Sequence, residues 1–125
     1  MVVLNMAAAA LLETIEYNYE RKPSWNESGV PLTQEDFRQG IMEYCYNFFQ
    51  LGTPSGYENF KRISEAMLSY EPRNPGFIDN VGAYWQIYKK DYKKATKYYK
   101  KALKIDPEDY PALTNLRIID KIRKK

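Results

Sequence analysis

The stretch from Asn80 to Asp109, NVGAYWQIYKKDYKKATKYYKKALKIDPED, decides the fold. Its second half has apolar residues at positions 92, 95, 99, 102 and 103, which lie on one stripe of an α-helix. A charged run that ends at Asp91 predicts a turn before this helix. The pair Asp106-Pro107 predicts its end, because proline cannot continue a helix. The stretch therefore predicts two short antiparallel helices.

The same stretch resembles one tetratricopeptide repeat, a helical hairpin of about 34 residues. The resemblance is carried by large and small residues in the family's order: Val81, Gly82, Trp85, Tyr92, Ala95, Tyr99, Ala102, Leu103 and Pro107. It implies that Ala95 and Ala102 let the neighbouring helix come close. It also implies that Tyr99 and Trp85 fill the space between the helices, and that the protein offers an interaction surface rather than an active site.

A period of about 35 residues repeats the hairpin along the chain. The second helix and its Asp-Pro end have five matches 35 positions earlier in the chain: Tyr57, Leu68, Tyr70, Glu71 and Pro72. Four residues of the first helix have matches 37 positions earlier: Ile41, Tyr44, Cys45 and Phe48. A third, partial copy follows at Leu113, Asn115 and Leu116. It has no second helix after it, which is typical of the capping helix of a repeat array.

The earlier copy departs from the family pattern in the sizes of its side chains. Phe60 and Met67 stand where the family has small residues, and Ser64 stands where an aromatic residue is usual. We expect that large and small residues have been exchanged across the helix contact. Such an exchange conserves volume between the two helices.

These patterns predict an all-α fold: a short right-handed α-α superhelix of about two and a half hairpins plus an N-terminal helix. We expect one domain over residues 1–125, with an N-terminal helix region at 1–22, repeats at 34–72 and 75–107, and a capping helix at 109–123. The predicted helices lie near 3–20, 34–51, 56–70, 75–88, 91–104 and 109–123. Thr33 is the expected N-cap of the second helix. Residues 22–32 are the one long irregular connection, with Trp25 expected to pin it to the core.

Composition excludes most familiar catalytic chemistry. The 125-residue chain has no histidine and one cysteine, so the usual zinc spacings and histidine-dependent triads are absent. Cys45 lies among aromatic residues, which favours a buried thiol over a nucleophile. Glu13, Glu16 and Glu20 share a helix face, but no phosphate-binding loop or base accompanies them. We therefore expect a protein that is not an enzyme and uses no cofactor or metal.

The resemblance implies a concave groove, lined by the first helix of each hairpin, that binds a peptide or a partner helix. Transferred by alignment, the groove positions are Met42, Glu43, Tyr46, Phe49, Gln50, Asp79, Asn80, Gln86, Thr114, Asn115 and Lys121. Aromatic and amide side chains suit such a surface. The family's lysine, arginine and asparagine clamp for a peptide carboxylate is not matched. The alternative is that the N-terminal helix or ordinary packing covers the groove.

Positive charge is concentrated at the C-terminal end of the chain. Residues 89–125 have 13 basic and 5 acidic side chains, whereas residues 1–88 have 6 basic and 11 acidic ones. A basic face is expected at Lys93, Lys97, Lys100, Lys101 and Lys104. Three interpretations are open: a solvated outer face, a surface for nucleic acid or another polyanion, and head-to-tail self-association. Nucleic acid is disfavoured because arginine is scarce in this region.

The N-terminal segment leaves further alternatives. Residues 2–12 are almost wholly apolar, so this helix is expected either to pack across the repeats or to pair with another chain in a homo-oligomer. A third alternative makes it the tail of a preceding repeat in a longer protein. The lack of a basic run before it argues against a secretion signal. No stretch has the roughly 20 apolar residues of a membrane span. We expect a cytoplasmic protein whose partner is another protein or a peptide.

Overall fold

A computed structural model describes residues 2–21 and 33–124. Their helices are α1 (Val2–Glu20), α2 (Gln34–Gln50), α3 (Pro54–Tyr70), α4 (Pro75–Ala83), α5 (Tyr92–Ile105) and α6 (Tyr110–Arg123), with a π-helical turn at Tyr84–Tyr88. No strand occurs in these residues, so the all-α prediction is confirmed. The predicted connection at 22–32, with Trp25, lies outside the described part. None of the described helices is both long and apolar enough to cross a membrane.

The chain divides into two compact units, Met1–Ala66 and Met67–Lys125. The first unit contains α1, α2 and most of α3. The second contains the end of α3, then α4, the π-turn, α5 and α6. The single domain, the right-handed superhelix and the family resemblance remain predictions.

Local signals in the sequence explain where the helices begin. Thr33 caps α2 as predicted: its hydroxyl accepts from the backbone N–H of Asp36 at 3.0 Å, and the Asp36 carboxylate accepts from the N–H of Thr33 at 3.1 Å. Asn74 caps α4, where Pro75 occupies the first turn and lacks the N–H that would go unpaired. Asp91 caps α5 by accepting from the N–H of Lys94 at 3.0 Å. These bonds satisfy donors that a helix start otherwise leaves without partners.

In the first unit, α1 packs against both following helices. Ala8 and Ile15 are fully buried on its inner side. The ring of Tyr19 meets the ring of Phe37 from α2 edge-on at 6.1 Å. Near the other end of α1, the amide of Asn59 from α3 donates to Asn5 at 3.2 Å. The inner face of α1 therefore packs on α2 and α3 of the first unit. That α1 packs across the repeats, or pairs with another chain, stays a prediction.

In the second unit, α4, α5 and α6 enclose a common core of Ile78, Ala95, Tyr99, Ala102, Ala112 and Ile119. Ala95 and Ala102 are fully buried, as the large-and-small pattern of α5 predicted. Trp85 is partly buried against this core. The tightest point is Gly82 of α4, where a Cβ atom would lie 2.8 Å from a ring carbon of Tyr99. The absence of a side chain there is what admits the tyrosine ring.

The earlier hairpin makes the corresponding contact with other residues. Cys45 and Ser64 occupy the positions that Gly82 and Tyr99 occupy in the later hairpin, and their side chains meet at 3.6 Å in the interior. The Ser64 hydroxyl also donates to the backbone carbonyl of Phe60, at 2.8 Å. Phe60 is buried where the later hairpin has Ala95. The same pair of repeat positions thus meets in both units, with the bulky side chains at different positions. The exchange of large and small residues across the helix contact stays a prediction.

The predicted helix over 75–88 is not a regular α-helix throughout. After Ala83 the chain forms a π-turn, in which the N–H of Lys89 donates to the carbonyl of Tyr84 five residues earlier, at 3.3 Å. Lys90 then adopts a left-handed conformation with φ 54°. A π-turn contains more residues per turn than an α-helix, so side chains after Ala83 point in directions that α-helical spacing does not predict.

Candidate functional site

Five of the expected groove positions lie on the outer part of α2, in the first unit. Tyr46 is 59% exposed near the middle of the helix. Glu43 and Gln50 are exposed beside it, while Met42 and Phe49 are half-buried. The buried residues of α2, Phe37, Ile41, Cys45 and Phe48, lie on its opposite side. We call Met42, Glu43, Tyr46, Phe49 and Gln50 the α2 face.

Packing beneath the α2 face holds one of its members in place. The ring of Phe49 lies 4.8 Å from that of Phe60 and 5.3 Å from that of Tyr57, both in α3. Such aromatic pairs stabilise packing beyond their buried area. Phe49 therefore contributes to the core and is only partly accessible, whereas Tyr46 projects into solvent. Of the two aromatic residues, Tyr46 is the one available to a ligand.

A second exposed tyrosine, Tyr44, lies on a different side of α2. It is 53% exposed, close to the value for Tyr46. Two residues along a helix correspond to a rotation of about 200° around its axis. Tyr44 therefore provides a matched position of the same residue type outside the α2 face.

Asp79 does not lie on a ligand surface, which corrects its placement among groove residues. It is 6% exposed, and no donor from the described residues reaches either carboxyl oxygen. Its neighbour is the buried carboxyl of Asp109, and two carboxyls can hydrogen-bond only if they share a proton. Burial first, then the adjacent carboxyl of Asp109 and the charges of Asp109 and Asp106, raise the pKa of Asp79 to about 9. Asp79 is therefore an internal residue, and it keeps its proton to a higher pH than an exposed aspartate does.

Gln86 is also internal, which corrects a second groove position. It is 4% exposed, and its side-chain oxygen accepts from the Tyr99 hydroxyl at 2.6 Å. Gln86 lies in the π-turn, so alignment to a regular helix misassigned its direction. Burial, followed by the nearby charge of Asp79, raises the pKa of Tyr99 above its ordinary value. The phenol thus stays protonated and keeps donating to Gln86.

The remaining groove positions belong to α4 and α6 in the second unit. Asn80, Thr114 and Asn115 are half-buried, and Lys121 is exposed. The Asn115 amide donates to the carbonyl of Pro111 at 2.9 Å, a bond within its own helix. No pattern in the sequence predicts these internal polar contacts. The two partners of each contact, Asp79 with Asp109 and Gln86 with Tyr99, come from separate segments of the chain.

The predicted basic face is on the surface of α5. Its five members are all exposed: Lys93, Lys97, Lys100, Lys101 and Lys104. The neighbouring Lys94 lies over the Trp85 ring, with its ammonium 4.2 Å from the ring centroid. The opposite side of α5 packs into the core of the second unit through Ala95, Tyr99 and Ala102. The basic face is therefore presented to solvent.

The described residues offer little for cofactor or metal chemistry. They contain no group of three His, Cys, Asp or Glu side chains that could hold a metal ion. Cys45 is fully buried. Burial raises the pKa of its thiol to about 11, against the smaller opposite effect of the hydrogen bond with Ser64. A thiol in this state is a poor nucleophile. The α2 face and the basic face are both exposed to solvent.

Comparison of the chain with models of known families, with characterised proteins and with solved structures gives no match. The repeat pattern and the surfaces of the two units therefore carry the functional argument.

Proposed function

We propose that the chain is a non-catalytic protein-interaction module that binds a peptide or partner helix on the α2 face. The observation that carries this proposal is the exposure of Tyr46 between half-buried apolar neighbours and the carboxylate of Glu43. Exposed aromatic residues on a firmly packed base are typical centres of protein interfaces. The base here is Phe49, held by Phe60 and Tyr57.

The chemistry of the α2 face indicates the kind of ligand. Met42, Tyr46 and the accessible part of Phe49 favour apolar side chains in the ligand. Glu43 adds a negative charge at the rim and favours a lysine or arginine beside them. The ligand is therefore a short segment with one or two apolar anchors next to a basic residue.

The test begins with a displayed library of random peptides, panned against the immobilised protein. An enriched peptide is synthesised and titrated by calorimetry. Tyr46→Ala is expected to weaken binding about tenfold or more, because central aromatic residues carry much of the binding energy of an interface.

The matched control is Tyr44→Ala, which removes an equally exposed tyrosine from a different side of α2 and is expected to leave binding unchanged. Phe49→Ala is a poor probe, since it also removes packing against α3. Equal losses for the two tyrosine variants, or a library that yields no binder, would refute the proposal.

A further inference from the structure

The basic face of α5 is a row of like charges. None of its five lysines forms an ion pair with any other residue that the structure describes. Lysines three or four positions apart on a helix are neighbours and repel one another. A surface of this kind gains from an acidic partner that lies along the helix.

The outer face of α1 carries the opposite charge. Ala8 and Ile15 point into the first unit. The opposite side of α1 presents the exposed residues Met6, Ala10, Glu13, Tyr17 and Glu20, separated by alternating steps of four and three. Glu16 is exposed beside them. Steps of four and three keep side chains on one stripe of a helix, the arrangement by which two helices pair along their length.

The charges on the two helices have the same spacing. Glu13, Glu16 and Glu20 are separated by three and four residues, as are Lys97, Lys100 and Lys104. In the reverse direction, Lys97, Lys101 and Lys104 are separated by four and three. Both rows extend about 10 Å along their helices, at about 1.5 Å per residue. The rows can therefore be matched pair by pair whether the helices run parallel or antiparallel.

The first unit has a net negative charge, like the outer face of α1, and the second unit has a net positive charge, like the basic face of α5. Residues 1–66 have 5 basic and 9 acidic side chains, whereas residues 67–125 have 14 basic and 7 acidic ones. We propose that the basic face of α5 docks on the outer face of α1 in a second copy of this chain. The α2 face takes no part, so this inference is independent of the proposed function.

A second copy fits the basic face better than a nucleic acid does. The exposed outer side of α5 contains lysine and no arginine, the residue that clamps phosphates with two parallel bonds and stacks on bases. Two exposed apolar side chains, Met6 and Tyr17, add contact area on α1 that a polyanion lacks. A carboxylate row of matching length lies in the same chain.

Pairing of α1 with α5 joins two different surfaces. If α1 of each copy can contact α5 of the other at the same time, the two copies form a closed dimer. If only one such contact forms between two copies, further copies add to the free surfaces and longer chains result. Either product raises the mass in solution, and the rise depends on concentration and on salt.

The first experiment is sedimentation equilibrium over a range of protein concentrations at low and high salt. The Debye length falls from about 30 Å at about 0.01 M salt to about 3 Å at about 1 M. The wild type is expected to exceed the monomer mass at low salt. Its association constant is expected to fall about tenfold or more at high salt. Monomer mass throughout would overturn the proposal.

The second experiment exchanges the charges. One variant reverses α5 (Lys97→Glu, Lys101→Glu, Lys104→Glu), and the other reverses α1 (Glu13→Lys, Glu16→Lys, Glu20→Lys). Each alone is expected to be monomeric at low salt, since the matched rows of three charges on its α1 and its α5 then have the same sign. An equimolar mixture is expected to associate again, because the acidic α5 of one variant meets the basic α1 of the other.

A matched control reverses three exposed basic residues of α6, Arg117, Lys121 and Arg123, to glutamate. It changes the net charge as much as the α5 variant does but is expected to associate like the wild type. Circular dichroism checks that each variant is folded. If a reversed variant unfolds, glutamine at the same three positions replaces it, with loss of association expected and no rescue.

Three outcomes contradict the proposal. The first is wild-type association of either reversed variant alone, and the second is a mixture that stays monomeric. In the third, a wild type that stays monomeric binds a single-stranded oligonucleotide, and the α5 variant loses that binding while the α6 control keeps it. That last result assigns the basic face to polyanions instead.

Discussion

Gly82 sets how closely the two helices of the later hairpin approach. A Cβ atom at this position would lie 2.8 to 3.1 Å from three ring carbons of the buried Tyr99. The ring cannot retreat easily, because its hydroxyl bonds to the buried Gln86. Packing is therefore the reason for a glycine at this position. Gly82 lies in a helix and does not have the positive φ for which glycine is otherwise preferred.

We expect Gly82→Ala to destabilise the protein by about 1 to 3 kcal/mol, the usual cost of overpacking a core. The free energy of unfolding in urea measures this. Gly40→Ala is the matched control, because a Cβ atom at Gly40 meets nothing within 4 Å. Alanine there is expected to stabilise α2 by about 0.5 to 1 kcal/mol. Equal effects of the two substitutions would contradict the close approach at Gly82.

Asp79 and Asp109 make the stability of the second unit depend on pH. The pKa of Asp79 is raised to about 9 in the folded chain, whereas an unperturbed aspartate has a pKa of about 3.9. Between these values the folded state holds a proton that the unfolded state has lost. The stabilising effect of this proton is complete below the unfolded pKa and disappears as pH rises through the folded pKa.

We expect the free energy of unfolding to fall between about pH 5 and pH 9, by up to about 1 kcal/mol per pH unit from this group. Asp79→Asn keeps a neutral side chain that can donate to Asp109, so the slope is expected to flatten. Urea unfolding at several pH values measures both proteins. The exposed Asp120→Asn is the control and should keep the wild-type slope. A wild-type slope in Asp79→Asn would mean that Asp79 is not the titrating group.

At the scale of elements, the π-turn separates the predictable part of the later hairpin from the unpredictable part. The starts of α2, α4 and α5 are readable from Thr33, Asn74 with Pro75, and Asp91. The π-turn has no such signal, because its extra residue per turn is fixed by the packing of Tyr84 and Gln86 into the interior. Two assignments depended on its being a regular helix: the range 75–88 and the outward direction of Gln86.

Lys90 closes the π-turn in a conformation that a lysine adopts at a cost. Its φ of 54° lies in the left-handed region, which costs a non-glycine residue about 1 kcal/mol. We therefore expect Lys90→Gly to stabilise the protein by about 0.5 to 1 kcal/mol, measured as a rise in the urea midpoint.

The neighbouring Lys89 supplies the comparison for that change. It has an ordinary φ of −89°, and its ammonium lies 4.7 Å from the centroid of the Tyr88 ring. Lys89→Gly relieves no strain and removes this contact, so a small loss of stability is expected. If both glycines destabilised the protein equally, the left-handed conformation of Lys90 would be refuted.

At the scale of the whole molecule, the single cysteine reports on the opening of the first unit. Cys45 is fully buried, and its thiol pKa of about 11 lies two units above the ordinary 9.0. At a given pH below 9 the thiolate fraction is then about a hundredfold lower. We expect a disulfide reagent at mildly alkaline pH to label the native chain at least about a hundredfold more slowly than the urea-unfolded chain. Native labelling at the unfolded rate would place Cys45 at the surface.

The helical plan was largely predictable because its causes are local. Five of the six predicted helices begin and end within a few residues of the observed ones. The contacts of Cys45 with Ser64 and of Gly82 with Tyr99 came from the structure, although the repeat alignment pairs the positions of the two contacts. The candidate site was predictable in part. The family resemblance placed Tyr46 on a ligand surface, and helical periodicity placed the α5 lysines on the side of the helix away from its apolar stripe.

The sequence by itself determined the six helices, the hairpin pattern and the uneven charge of this protein, since caps, prolines and periodicity act over a few residues. The tertiary structure decided what the polar side chains do. It turned Asp79 and Gln86 inward to Asp109 and Tyr99. The physical reason is that burial and hydrogen bonding depend on residues brought together from different helices, and the spacing within one helix contains no record of them.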